Sequence, residues 1–169
     1  MAGDVRAVQL LRNELPPPVH RDVTVRELPG GRSPDGSDAA LRTAIRDAVE
    51  EYAADETTAL LDRFAERDPA DTAEGITATL AALAAGRIST LFVADDPDDH
   101  RTAWYGPGLV CAATDDVPDG DGRWRASGRL VDVAVRAALL TDADLRVVDL
   151  AAGRFDDGIA GLCRYREAH

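Results

Sequence analysis

The chain has 169 residues, which is enough for one ordinary domain and an additional segment but not for two full domains. All 19 basic residues are arginine, and 31 acidic residues bring the net charge to −12. The absence of lysine excludes a phosphate-loop lysine and a Schiff-base lysine. The negative charge predicts repulsion of polyanions, which disfavours direct nucleic-acid binding.

Cysteine use and hydropathy indicate a reducing, cytoplasmic setting. Cys111 and Cys163 stand in apolar, strand-like runs, which predicts buried and unreactive thiols. No Cys-x-x-Cys is present, and the first residues show no basic segment followed by an apolar one. The uncharged apolar stretches are too short to cross a bilayer, so no membrane contact is expected.

Residues 1–37 are predicted to be the incomplete tail of a preceding domain. Helical spacing over Val8 to Leu15 ends at the Pro16–Pro18 run, since proline cannot continue a helix. Partial alternation over Val19 to Leu28 predicts a strand, and a Gly/Pro loop follows. One helix and one strand cannot close a core by themselves.

Residues 38–69 are predicted to form a long connector helix. Asp38 is a suitable N-cap, Leu41, Ile45, Val49 and Tyr52 begin an apolar stripe that continues to Phe64, and Asp68-Pro69 ends the helix. A helix of this length exceeds what a small domain needs, which suits a link between domains. Its stripe could also pair with a second copy of the chain, as a structural dimerisation module.

Residues 70–169 are predicted to fold as a three-layer α/β/α sandwich with a mixed sheet. Asp71 and Glu74 have capping-box spacing for a helix that ends at Gly86. The rest of the order follows from apolar runs and turn residues: strand 87–93, a polar loop 95–107, strand 109–113, a core helix from Leu130 to Leu140, strand 145–150, and a last segment 159–165 that could be strand or short helix.

No catalytic residue and no cofactor is predicted. The sequence contains no triad signature, no phosphate loop, no G-x-G-x-x-G and no zinc-ligand spacing. A second hypothesis is a small metal-dependent hydrolase whose Mg²⁺ or similar cation would be held by the loop after strand 87–93. The carboxylates of that loop are Asp95, Asp96, Asp98 and Asp99.

One basic, aromatic cluster stands out in this acidic chain. Arginine suits bidentate contacts with carboxylates or phosphates, and tryptophan suits anchoring at interfaces. The competing interpretation is local pairing of these arginines with the aspartates just before them. The predicted contact face consists of Arg87, Arg123, Trp124, Arg125 and Arg129.

Two motifs resemble the third domain of archaeo-eukaryotic class-1 release factors and Pelota. Residues 73–93 resemble the opening helix and strand of that domain, and Asp157–Tyr165 resembles its closing strand, with Gly-Ile-Ala followed by Leu-x-Arg-Tyr. Upstream, Asp22–Val25, Gly30-Gly31 and the long helix resemble the last strand of the central domain and the helix that follows it. The resemblance favours the strand for residues 159–165.

This resemblance identifies the chain as a C-terminal fragment, or a degenerate member, of the bacterial branch of the superfamily. It implies the fold of kink-turn-binding ribosomal proteins and contact with a translational GTPase or the ribosome. The peptidyl-transfer Gly-Gly-Gln signature is absent, because Gln9 is the only glutamine and no Gly-Gly precedes it. The expected function is a non-catalytic protein-interaction domain of a bacterial release-factor-like protein, acting in peptide release or ribosome rescue.

Overall fold

A computed structural model describes residues 5–14, 25–28, 38–108, 111–113, 126–149 and 155–165. The chain divides into two units, Met1–Thr58 and Ala59–His169. The boundary between the units falls within the long helix. No helix in the described ranges is both long and apolar enough to span a membrane.

The first unit contains α1 (Val5–Glu14) and most of α2 (Ala39–Glu66). The bounds of α2 agree with the long helix that the sequence predicts. Residues 25–28, the described part of the strand predicted to end at Leu28, form no strand. Arg26 instead pairs with α2, donating to Glu51 at 2.6 Å and to Asp55 at 2.8 Å.

The second unit is built on a four-stranded mixed sheet in the order β1-β7-β2-β6. Its strands are β1 (Thr72–Glu74), β2 (Ile88–Asp95), β6 (Asp144–Asp149) and β7 (Ile159–Cys163). β7 is antiparallel to both of its neighbours, whereas β2 and β6 are parallel. The strand predicted for the last segment is therefore confirmed, and it lies inside the sheet with all five residues buried.

A second, smaller sheet fills the connection between β2 and β6. Its order is β4-β3-β5, formed by β3 (Thr102–Tyr105), β4 (Cys111–Ala113) and β5 (Ala126–Arg129), and all of its pairs are antiparallel. Only β4 corresponds to a predicted strand. β3 lies in the predicted polar loop, and β5 was not expected.

Two apolar cores cover the two faces of the main sheet. On one face, α3 (Ile76–Ala84) and α4 (Leu130–Leu139) pack on Ile88, Leu91 and Val93. On the other face, Leu61 and Phe64 from the end of α2 pack on Phe92 and its neighbours. β2 is buried on both sides, as its continuous apolar run predicts. The result is the expected three-layer α/β/α sandwich.

The predicted capping box at Asp71 and Glu74 is wrong. Asp71 closes a short 3₁₀ turn, and Glu74 is the last residue of β1. α3 begins only at Ile76, after Gly75 with φ of 77°. Pairing of residues 72–74 with β7 has overridden the local helix signal. Gly86, with φ of 66°, does end the helix region as predicted.

The predicted core position of Leu140 is also wrong. α4 ends one residue earlier, and Leu139 and Leu140 are 68% and 55% exposed. Leu130, at the start of the predicted core helix, is buried as expected, and Val133 is buried as well.

Candidate interaction surface

The two described arginines of the predicted contact face lie at opposite ends of β2. Arg87 immediately precedes the first residue of β2. Arg129 ends β5 and donates from Nη2 to the backbone oxygen of Asp99, beyond the carboxyl end of β2, at 3.3 Å. β2 has eight residues, so about 25 Å of strand separates the two ends. Arg123, Trp124 and Arg125 lie outside the described residues, and the contact face stays a prediction.

Arg87 borders a shallow groove between the 3₁₀ turn, β1 and α3. The groove has a volume of about 240 Å³ and is lined mostly by alanines, three of them in α3, and also by Pro69. The guanidinium of Arg87 approaches Cys163 Sγ at 3.7 Å, and its backbone oxygen accepts a hydrogen bond from Arg164 N at 2.8 Å. Arg87 is thus half-buried, and its contacts hold it between the start of β2 and the end of β7.

Asp99 and Arg101 form a bidentate ion pair at the opposite end of β2. Arg101 donates from Nε to Asp99 Oδ1 and from Nη2 to Asp99 Oδ2, each at 2.8 Å. The Asp99 side chain is only 6% exposed. Arg101 Nη2 also donates to the backbone oxygen of Asp157 at 2.7 Å. This fork-to-fork pair joins the loop after β2 to the 3₁₀ turn before β7.

The same turn anchors the start of α3. The Asp157 carboxylate accepts a hydrogen bond from Ile76 N at 3.3 Å, at the first residue of the helix. Glu74 accepts one from Asp156 N at 3.0 Å. These hydrogen bonds therefore connect the end of β1, the start of α3, the loop after β2 and the turn before β7. Their role is structural.

The Arg101 guanidinium lowers the pKa of Asp99 below its ordinary value, chiefly through the side-chain hydrogen bond and against the desolvation of the carboxylate. The pKa of Arg101 is raised by the same hydrogen bond. Since the folded state favours the ionised carboxylate, the pair stabilises the fold above the ordinary carboxyl pKa. That contribution is lost as the pH falls through the lowered pKa of Asp99.

We expect Asp99→Asn to lower the free energy of unfolding by about 1–2 kcal/mol at neutral pH, because it removes a charge-assisted bidentate pair whose arginine is still partly solvated. The difference between wild type and variant should be constant above about pH 5 and shrink below about pH 4. Urea denaturation at a series of pH values measures both effects.

Asp98→Asn is the matched control, since it removes the same charge from an exposed position in the same loop. We expect it to change the unfolding free energy by less than about 0.5 kcal/mol at any pH. Equal effects of the two variants would show that Asp99 has no special role.

The predicted metal ligands do not converge. Asp96 accepts a hydrogen bond from Asp98 N at 3.0 Å, an aspartate turn within the loop, and Asp99 points to Arg101. Asp96, Asp98 and Asp99 line an open cleft together with His100 and Asp157. Across the described part of the chain, no three His, Cys, Asp or Glu side chains are grouped so as to hold a metal ion.

Both cysteines are buried and reduced, as the sequence predicts. Desolvation raises the pKa of Cys111 to about 11, so its reactive thiolate form is rare at neutral pH. Cys111 Sγ lies 3.4 Å from the backbone oxygen of Leu80. Nothing in this geometry indicates a nucleophile.

Several arginines bind backbone oxygens inside the fold, which the sequence patterns do not predict. Arg164 donates from Nη2 to the backbone oxygens of Thr141 and Asp142, at 2.6 and 2.8 Å, and from Nε to that of Ile88 at 3.0 Å. Arg136 donates to the oxygens of Gly106 and Gly108 and stacks on Tyr105. The Arg-Tyr pair in the closing motif was the available signal for Arg164.

Comparison with known proteins agrees with these observations. Residues 1–69 match the family model described as bacterial archaeo-eukaryotic release factor family 2. Among solved structures, the C-terminal domain of the peptide chain release factor from Methanosarcina mazei aligns with a TM-score of 0.52 at 16% identity, covering 82% of this chain and 99% of that one. No curated protein matches significantly.

A second solved structure aligns over nearly the whole chain. It is a chain of the model of ribosome-bound archaeal Pelota and ABCE1, with a TM-score of 0.59 at 17% identity. The alignment covers 99% of this chain but only 43% of the other. The family model over residues 1–69 and the shared fold agree with the resemblance seen in the sequence: the chain is similar to the C-terminal domains of archaeo-eukaryotic release factors and Pelota.

Proposed function

We propose that this chain is the non-catalytic, protein-contacting part of a bacterial release-factor-like protein that acts in peptide release or ribosome rescue. The partner is a translational GTPase or a protein surface of the ribosome, reached through the intact protein. The kinship supports the translational setting. The chemistry of the described residues supports a protein partner over an RNA partner.

The observation that carries this proposal is that several arginine side chains form hydrogen bonds within the fold. Arg101, Arg136 and Arg164 turn their guanidinium groups onto backbone oxygens of the same fold. These groups hold loops and strand ends together, so they contribute little to a phosphate-binding surface. RNA recognition requires several cations on one face, and the chain instead has a net charge of −12.

The expected contact residues form two groups. Arg87 stands beside the alanine-lined groove, where it could take a carboxylate of a partner whose apolar side chain enters the groove. Arg123, Trp124 and Arg125 provide the second group. These roles rest on residue chemistry, and they are open to direct test.

The test is co-sedimentation of the purified chain with 70S ribosomes, with and without a translational GTPase loaded with a non-hydrolysable GTP analogue. We expect the chain to bind in at least one of these mixtures. We also expect it to leave a kink-turn RNA hairpin unshifted in a gel at moderate salt. Arg123→Glu/Arg125→Glu and Arg87→Glu should each weaken co-sedimentation by roughly tenfold or more, the effect of a lost interface anchor.

Arg46→Glu is the control for charge reversal alone, because Arg46 is well exposed on α2 and outside the proposed face. It should co-sediment like wild type. Failure of the wild-type chain to bind ribosomes or the GTPase in every mixture would overturn the proposal. Tight binding of the RNA hairpin would replace it with direct RNA recognition.

A homodimer through α2 is a second candidate, favoured by one observation. Ile45 and Val49 of the apolar stripe are 45% and 61% exposed in the first unit. A pair of helices could bury that stripe. Sedimentation equilibrium at high concentration should then give twice the chain mass, and a monomer would contradict it.

A further inference from the structure

An apolar surface lies at the corner formed by the end of α4 and the strand β6. Leu139 is the last residue of α4, Leu140 follows it as the C-cap, and Leu145 and Val147 lie in the strand. The exposed fractions of these four residues are 68%, 55%, 37% and 61%. We call this set the β6 corner. A surface that exposes several large apolar side chains is often a contact surface for a partner.

The register of the sheet places the strand residues on the same side as the helix. Leu145 and Val147 pair with Leu91 and Val93 of β2, which belong to the core beneath α3 and α4. Side chains of neighbouring strand partners point to the same face. Leu145 and Val147 therefore lie on the sheet face that carries α4, the helix that Leu139 ends.

β6 is also an edge of the main sheet. Within the described ranges, β6 pairs with β2 on one side and with no strand on the other. An edge strand presents backbone N–H and C=O groups that can pair with a further strand. The turn before it is fixed, because Arg164 binds the backbone oxygens of Thr141 and Asp142.

Charge decides which occupant suits this edge. Asp142 and Asp144 are exposed at the start of β6, and the whole chain carries −12. A second copy of the chain would bring like charges together, since Asp142 and Asp144 stand beside its own β6 corner as well. An extended segment with apolar residues at every second position and Lys or Arg between or beside them would match both the apolar face and the carboxylates.

We propose that β6 binds an extended, basic and apolar segment of a partner protein by strand addition. The backbone of that segment extends the sheet beyond β6. Its apolar side chains cover Leu145 and Val147, and its cations face Asp142 and Asp144. None of these residues belongs to the arginine groups proposed above, so either proposal can fail without the other.

The test uses a random peptide display library selected on the full chain. We expect the selected peptides to alternate apolar residues with Lys or Arg. Val147→Lys should weaken binding of a selected peptide by at least tenfold in fluorescence anisotropy. Binding should fall as salt rises, because part of the attraction is between exposed charges.

Val49→Lys is the matched control, since Val49 is also 61% exposed but lies on α2. It should bind like wild type. A peptide with alternate backbone nitrogens methylated keeps its side chains but cannot extend the sheet, so it should not bind. Hydrogen exchange should show added protection in β6 when the unmethylated peptide is present.

Three results would overturn the proposal. The first is selection of peptides whose binding is unaffected by Val147→Lys. The second is full binding of the methylated peptide, which would indicate side-chain docking without strand addition. The third is concentration-dependent self-association of the wild-type chain that Val147→Lys abolishes, which would make a second copy the occupant.

Discussion

Phe92→Ala is expected to lower the free energy of unfolding by about 3–5 kcal/mol, the range for removing a buried phenylalanine from a packed core. Phe92 is fully buried in β2. Its ring lies 5.8 Å from that of Phe64 in an edge-to-face arrangement and 6.2 Å from that of Phe155. The three rings hold the end of α2 and the segment before β7 on one face of the sheet. Urea denaturation followed by circular dichroism measures the loss.

Leu139→Ala serves as the control, because this leucine is 68% exposed and its truncation leaves no cavity. It should shift stability by less than about 0.5 kcal/mol. If Phe92→Ala costs as little as the control, the α2 layer does not pack on the sheet as described. Phe92→Leu should fall between the two, since part of the cavity stays filled.

Gly161→Ala is expected to cost about 1–3 kcal/mol through overpacking. Gly161 lies in the middle of β7, and a Cβ atom there would stand 2.6 Å from Ile88 Cδ1 and 3.3 Å from the backbone oxygen of Thr90. Ile88 is itself fully buried, so it has little room to move. Close packing of two strands thus explains Gly161, which lies inside the closing segment Asp157–Tyr165.

A double-mutant cycle tests this cause. Ile88→Val removes the Cδ1 atom nearest to the new methyl group, so Gly161→Ala should cost less in the Ile88→Val background than alone. Gly128→Ala is the control, because its Cβ would meet only ordinary contacts at 3.6 Å. Additive effects of the two substitutions would refute the proposed clash.

The sequence predicted those elements whose signals are local and long. The helix 39–66 follows from its apolar spacing and its Asp-Pro end, and β2 follows from an unbroken apolar run. β1 was missed because three residues cannot show a period, and their strand form depends on pairing with β7, far along the chain. β3 and β5 were missed for the same reason, since each is short and takes its strand form by pairing with the other.

The site was harder to predict than the fold. That Arg87 and Arg129 lie at opposite ends of β2 depends on the path of the chain through the smaller sheet, which residue patterns do not encode. The motifs that carry the family resemblance proved to contain structural residues. Gly161 permits close strand packing, and Arg164 binds loop carbonyls. The similarity at these positions therefore indicates the fold and does not identify the residues that contact a partner.

The insertion of β7 between β1 and β2 has a consequence for biosynthesis. β1 is bonded to the sheet through β7 alone among the described strands, with Thr72 opposite Leu162. Some seventy residues separate β2 from β7, so roughly 3–14 s pass at ordinary elongation rates before β7, one of the two neighbours of β2, has been synthesised. Contacts so distant in sequence also slow folding. Until then the edge of β2 that pairs with β7 has no partner strand, and the nascent chain depends on its charge, or on a chaperone, to remain unaggregated.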